Sequence, residues 1–470
     1  MRRISFWSHE RRPQRLILRL PSINSFKDYP HIMGHTGETA RKSIFPIYYG
    51  WIIVGLSFLT MAFHLTARFS FAIFQVPLIA EYGWTRGALG SAFALMMGLY
   101  AMLGPFAGSL LDKFGPRAVV PWGSILVGVG LAGGFFISSL WHVYLLLGMF
   151  IGLGTALSGF ATHSAILPRW FRKKRGIATG IVLSGIGIGS LFLSPVIERL
   201  IAHFGWRIAY LVYGFFVLGI LAPVNFIFLR DRPENMGQNM DGLPQPEAVA
   251  AAPRKDGTEE GKSIGQVFSR VKNDNSFWAL ALLGFIIGFQ TNTILSQLQL
   301  YLVDVGYSTA TGAMVIGLAG LLHVVGSVFI GWISDKVGRP RAQAFSCGLG
   351  VLCIVVLLSI RYLGHPPLPG FLFSVLYGLG AGGVSTSHSS MAADSFGDRS
   401  FGTVMGLLTI CYAGGGIVGP PLAGVIFDFT GSYVIPFSVI LLLMVSGIFI
   451  SLFLYGAKSS GAPTSGPPHA

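Results

Sequence analysis

The stretch Gly108-Ser109-Leu110-Leu111-Asp112-Lys113-Phe114-Gly115-Pro116-Arg117 decides how this chain is read. It closes an apolar run over 87–111 and hands over at once to another over 118–138. The turn between the two runs carries Asp112, Lys113 and Arg117. The same arrangement returns as Gly331-Trp332-Ile333-Ser334-Asp335-Lys336-Val337-Gly338-Arg339-Pro340-Arg341, again between apolar runs. Asp335 follows Asp112 by 223 positions, close to half of the 470 residues. That spacing reads as a duplication, with one copy of the turn in each half.

Composition says what surrounds the turn. Charged residues make up 11% of the chain, against about 25% in soluble domains, and 52% is hydrophobic. Mean hydropathy is +0.64. A water-soluble core has no room for that much apolar surface, so the chain is expected to be an integral membrane protein. The net charge of +14 invites a nucleic-acid partner, but the placement of the basic residues argues against one. The cysteines Cys347, Cys353 and Cys411 fall in apolar runs with no metal-ligand spacing and read as core filling.

Twelve apolar runs follow one another, at 49–79, 87–111, 118–138, 142–167, 176–201, 207–229, 275–301, 310–333, 342–362, 369–392, 403–427 and 433–455. Each approaches the ~20 residues that cross a hydrocarbon layer, and spanning backbone that must satisfy its own hydrogen bonds is helical. With both termini inside, 28 of the 33 Lys and Arg fall in inner segments and four in outer ones, with Arg68 left within a run. That asymmetry predicts cytoplasmic termini. The expected fold is an all-α membrane protein of 12 transmembrane helices in two pseudo-symmetric six-helix bundles. Its parts are a cytoplasmic tail (1–48, expected disordered), a first bundle (49–230), a cytoplasmic linker (231–274), a second bundle (275–456) and a disordered tail (457–470). Translation could start at Met1 or at Met33. Within the linker, 263–271 reads as a short amphipathic helix.

Twelve spans, a long middle segment and the paired turn resemble the major facilitator superfamily, from about residue 46 onward. Three stretches resemble its monocarboxylate transporter and oxalate/formate antiporter group. They are Tyr49-Gly50-Trp51, the run from Trp170 to Gly180 with Ser184-Gly185-Ile186-Gly187, and Gly415 to Gly419-Pro420. The resemblance implies alternating access by two rocking bundles about a midplane site. It also implies that Asp112, sitting where a helix dipole disfavours a carboxylate, takes a partner that latches the outward-open state. Gly108, Arg117, Asp335, Arg339 and Arg341 are the other gating candidates.

Arg68 is the most informative single residue. A guanidinium well inside a span is expensive and faces a cavity unless it snorkels to the interface. In a cavity it would receive an anion. His64 stands four positions earlier on the same helix face, and His163, His323 and His388 also lie within spans. Imidazole can carry a coupled proton, or simply hydrogen-bond between helices. Gln290, Thr291, Asn292 and Gln297 form a polar cluster in the seventh span, read as pathway lining with interhelical bonding as the alternative. The monocarboxylate transporters resembled carry an acid and an Arg one turn apart in the eighth helix. Counted back from Gly331, those positions hold His323 and Ser327, so that ion pair is missing here. The family's first-helix Lys would fall at Phe69, next to Arg68, and the eleventh span has no Lys.

The sequence therefore predicts a secondary transporter and no enzyme. It would move a small organic anion, a monocarboxylate by resemblance, with a proton or an exchanged anion as coupling species and no cofactor or metal. It would act as a monomer in a plasma membrane of bacterial (inner-membrane) type. Efflux of amphiphilic compounds by proton antiport is the alternative.

Overall fold

A computed structural model describes residues 48–242, 264–362, 367–396 and 401–460. Residues 1–47, 243–263, 363–366, 397–400 (with Arg399) and 461–470, and with them the choice of start residue, fall outside the described residues. Among those described, twelve helices are long and apolar enough to cross a membrane. They are α1 (Gly50–Tyr82), α2 (Arg86–Phe114), α3 (Pro116–Phe136), α4 (Leu140–Trp170), α5 (Arg175–Phe204) and α6 (Trp206–Phe228). After the linker come α7 (Asn275–Asp304), α8 (Thr309–Val337), α9 (Arg339–Ile360), α10 (Pro367–Phe396), α11 (Thr403–Thr430) and α12 (Val434–Leu454).

The helices form two six-helix bundles, α1–α6 and α7–α12, that meet along three seams: α2 with α11, α5 with α8, and α1 with α7. Small residues make the seams tight, as expected where lipid offers no hydrophobic drive for helices to associate. A Cβ on Gly90 would lie 2.6 Å from the Pro420 carbonyl oxygen, and one on Gly187 would lie 2.6 Å from that of Gly320. Bulky apolar side chains such as Trp122, Phe192, Phe215 and Phe449 are exposed around the outside, where acyl chains would cover them.

The chain threads back and forth, so its turns divide between two faces. The face holding 115, 171–174, 231–242 and 338 carries most of the basic residues and is called the basic face here. The other, holding 83–85, 205, 305–308 and 431–433, is the far face. The paired turn is a one-residue connection in both halves, with Gly115 at φ 74° and Gly338 at φ 92°. Two long helices cannot reverse in one residue without that backbone, which side chains rarely adopt. The linker begins by folding onto the first bundle, where Tyr49 N–H donates to Gln238 Oε1 (2.9 Å). It ends in the expected amphipathic helix, Ile264–Val271, which buries Val267 and Val271 against Phe277, Met391 and Leu408.

The first span is one continuous 33-residue helix that accommodates Pro77, its length consistent with a tilt and without a break. The break occurs in α4 instead. A π-helical segment (Val143–Phe150) widens its first half, and at Gly159 (φ −91°, ψ −158°) the helix stops and restarts at Phe160. A Cβ at Gly159 would sit 2.4 Å from the Thr155 carbonyl oxygen. Side-chain donors gather at the break, Thr162 donating to Leu157 O (2.7 Å) and His163 Nδ1–H to Gly159 O (3.0 Å), which also accepts the His163 backbone N–H (3.2 Å).

Gly338→Val tests the turn without confusion from packing, because no atom would lie within 4 Å of the new Cβ. Backbone strain alone should cost about 1–3 kcal/mol and lower the melting midpoint in detergent. Gly104→Ala, in helix α2 and equally uncrowded, should leave the midpoint unchanged or raise it. Equal midpoints for wild type and Gly338→Val would show that the turn does not depend on that backbone.

Candidate functional site: a cavity between the bundles

A cavity of about 440 Å³ lies between the two bundles, lined from α1, α4, α5, α7, α8, α10 and α11. Its walls are chiefly apolar, including Leu65, Phe69, Leu183, Ile186, Leu295 and Val324. The polar groups are few: Arg68, Ser190, Thr291, His323, Ser327, Tyr377, Ser385, Thr386, Ser389 and Tyr412. Arg68 sits at the middle of α1, whereas Gly180, Ser327 and Ser389 lie nearer the helix ends at the basic face. The space thus runs from the membrane midplane towards that face. Ser385, Ser389 and Phe160 are exposed although they lie within membrane helices, which fits an opening there.

Arg68 does not snorkel. It is 7% exposed, and its guanidinium stays between the bundles. Nη2 contacts Met97 Sδ (2.7 Å) and donates to Asn292 Oδ1 (3.4 Å), and Cζ stands 5.0 Å from the centre of the Tyr100 ring. Nε has no hydrogen-bond partner. Among the described residues no carboxylate forms an ion pair with Arg68, and no Asp or Glu lines the cavity. A buried guanidinium held by a ring face, a thioether and one amide keeps donor capacity that an anion would satisfy. The amide is itself positioned: Asn292 Nδ2–H donates to Gly288 O (2.8 Å).

His323 lines the same cavity from α8, facing Arg68 across the bundle boundary. Ser327, one turn on, donates to His323 O (2.9 Å). The two positions where the resembled transporters keep an ion pair therefore hold an imidazole and a hydroxyl at the cavity wall. The remaining sequence candidates lie outside the lining. His64 is fully buried in the first bundle, with Nδ1 2.5 Å from Ser158 Oγ. Because that hydroxyl donates to Gly154 O (2.7 Å), the imidazole must supply the proton through Nδ1–H, leaving Nε2 without a partner. His163 is held to Gly159 with its Nε2 likewise unpartnered. His388 places Nε2 2.9 Å from Leu280 O and so ties α10 to α7. Gln290 packs toward Gly350 of α9, and Gln297 accepts from Tyr433 OH (2.8 Å).

On the basic face the gating candidates make contacts within their own bundle. Arg117 Nε–H donates to Phe226 O (3.0 Å), and its Cζ stands 5.3 Å from the Phe226 ring centre. Arg339 pairs with Asp394 (2.9 Å), while the largely exposed Asp335 is 3.9 Å from Arg339. Arg341 has a partner as well. For Gly108 and Asp112 only the helical backbone is described, so the expected Asp112 pairing lies outside the described residues.

Sequence reasoning passed over Tyr100, Tyr377, Tyr412 and the hydroxyls of α10. A signal was present for the last group, since Ser385-Thr386-Ser387-His388-Ser389 is a polar run inside a membrane span. Only its histidine drew notice.

Two bundles around a solvent-reached cavity with one buried cation make this a membrane transporter. Residues 56–387 match the Major Facilitator Superfamily, and the chain belongs to that superfamily. Its relatives are transporters rather than enzymes. It is 30% identical to monocarboxylate transporter 12 of Rattus norvegicus, over 87% of this chain and 85% of that protein. It is 27% identical to monocarboxylate transporter 13 of Bos taurus, over 89% and 92%. Among solved structures, an inward-facing, unoccupied bacterial homologue of the human lysosomal transporter Spinster superposes with a TM-score of 0.61. That match has 16% identity and covers 87% of this chain and 96% of that one, which shows the shared fold.

The cavity can be mapped by thiol labelling after Cys411→Ser removes the half-buried native thiol. Ser389→Cys, exposed on the lining, should react with a water-soluble maleimide from the basic face. Ser387→Cys, fully buried on the same helix, should not. Equal labelling of the two would contradict the described orientation of α10.

Proposed function

We propose that this transporter carries a small organic anion, a monocarboxylate, by alternating access, coupled to a proton or to an exchanged anion. The observation that carries the reading is Arg68, among the described residues the one buried cation, with an unsatisfied Nε at a cavity whose described lining holds no acid. One guanidinium and no acidic partner favour a monoanion over a dicarboxylate or a zwitterion. The apolar walls favour a solute with a hydrocarbon portion, and the names of the relatives support the carboxylate. Within this reading Arg68 binds the anion, Asn292 orients Arg68, and His323 carries the proton on the opposite wall. The buried His64 and His163 and the interhelical Gln290 and His388 support this machinery from behind the lining. Gly108, Asp112, Arg117, Asp335, Arg339 and Arg341 gate the basic face. In this reading the protein acts as a monomer, with the proton or exchanged anion as coupling species and no metal or cofactor.

The 28-to-4 distribution of basic residues supports cytoplasmic termini, and the proposed location is a plasma membrane. The relatives named above are mammalian, so placement in a bacterial inner membrane rests on the sequence alone. A second reading, efflux of amphiphilic compounds by proton antiport, is favoured by the largely apolar lining. Dye sensitivity of a deletion strain separates it from carboxylate uptake.

Uptake into proteoliposomes, screened over labelled mono- and dicarboxylates with and without a pH gradient, tests the main reading. Arg68→Gln should abolish anion uptake with folding intact, and Arg68→Lys, which keeps the charge, should retain part of it. Wild-type uptake by Arg68→Gln would remove Arg68 from the site. His323→Ala should lose stimulation by the pH gradient while still binding the anion, and an unaltered response would refute a proton on His323.

A further inference from the structure

The far face is where polar groups of one bundle reach into the other. Arg86, the first residue of α2, forms a two-pronged ion pair with Asp304 at the end of α7, Nη1 to Oδ2 at 2.5 Å and Nη2 to Oδ1 at 2.8 Å. Its Nη1 also donates to Tyr433 OH (2.9 Å), and its Cζ lies 3.7 Å from the Phe427 ring centre. Beside it, the Asp428 carboxylate at the end of α11 accepts from the backbone N–H groups of Arg86 (3.0 Å) and Gly87 (2.8 Å). The second bundle thus caps a helix of the first. Thr85 caps only the next amide, its Oγ1 accepting from Ala88 N–H at 3.2 Å. The approach depends on glycine, since a Cβ at Gly424 would be 2.5 Å from the Arg86 carbonyl oxygen. Each other seam adds a bond toward the same face: Thr309 Oγ1–H to Glu198 Oε1 (2.6 Å) and Gln75 Nε2–H to Ser296 O (2.9 Å).

We infer that Arg86 and Asp428 are the positioning residues that hold the transporter closed at the far face, through a helix cap that exists in only one of its two states. The inference rests on the alternating-access reading above. When the bundles part, the Arg86 and Gly87 amides lose their acceptor, as helix ends without caps do, and Arg86 separates from Asp304. These are charge-assisted bonds, individually stronger than neutral ones. Their loss biases the two-state equilibrium toward opening on the far side by an amount fixed by their differential strength.

Asp428→Asn keeps the shape and one acceptor but removes the charge. Two readouts follow, the first independent of transport. Ser296→Cys leaves the carbonyl that Gln75 uses, and its thiol is buried while the far face is shut. Membrane-impermeant maleimide added from the far side should label it slowly in the parent and about tenfold faster with Asp428→Asn, the factor expected for one charged hydrogen bond. In uptake assays the apparent KM from the far side should fall as the KM from the basic side rises, because the competent fraction changes in opposite senses. Thr309→Ala, which removes one hydroxyl-to-carboxylate bond at a separate seam, should move both readouts the same way by a smaller factor, about threefold or more. Unchanged labelling in both variants would overturn the latch, as would two KM values that shift in the same direction. Faster labelling in a protein that moves no tested anion would leave the latch standing and count against the proposed function.

Discussion

The structure is organised around a guanidinium kept out of water and away from any described carboxylate. An isolated charge in a low-dielectric interior is costly, and proteins usually cancel it with a counter-ion. Here the Arg68 side chain has a π face, a sulfur and one amide oxygen. Those contacts steady it without neutralising it. A permanent internal carboxylate would stabilise the resting protein, but a solute anion would then have to displace it. Under the proposed function, leaving the charge uncompensated reserves its interaction energy for the solute anion. Asn292 fits this account, since its own bond to Gly288 fixes its orientation without occupying the cation fully.

The two faces answer different needs. At the far face, charges from opposite bundles meet: Arg86 with Asp304, and the Asp428 carboxylate with the start of α2. At the basic face, Arg339 pairs with Asp394 within the second bundle, and the start of the linker is tied to the first bundle: Arg169 pairs with Asp231, and the Asp241 carboxylate accepts from the Arg172 and Lys173 amides. Contacts of the second kind keep each bundle rigid and can persist while the bundles move apart. Contacts of the first kind must break. The same type of ion pair therefore serves rigidity or bistability according to whether its partners share a bundle; the far face holds one of the rigid kind too, Arg207 with Glu81 (2.7 Å), inside the first bundle.

Much of this was legible in the chain. The repeat of the Gly-Asp-Gly turn at 112 and 335 gives the duplication, and apolar run length gives the helices, because lipid imposes a nearly single rule on spanning backbone. Arg68 stands out because charge in a span is rare enough to mean something. Histidines do not separate in the same way. His323 reaches the cavity and His388 bonds a carbonyl of α7, yet both are single imidazoles among small and apolar neighbours. Which way each points depends on helix rotation: α8 is apolar on nearly all sides around His323, and the polar run at His388 in α10 wraps the whole helix, so no polar stripe reveals it. The break at Gly159 was hidden for a similar reason, since glycine is common in these spans and most of it serves packing.

The far-face network shows why pairwise signals fade with sequence distance. Arg86 and Asp304 are separated by 218 positions, and Asp428 lies further still. In sequence each is an ordinary charge at a span end, where snorkelling or headgroup contact is the default explanation. Only the packing of α2 on α11, permitted by Gly87, Gly90 and Gly424, brings the α2 amides to that carboxylate. The glycines were visible and the charges were visible, but their connection is a property of two bundles meeting in one orientation. A carrier that changes orientation would have to hold its state-dependent contacts between segments far apart in the chain. Local bonds, formed alike in both states, cannot tell one state from the other.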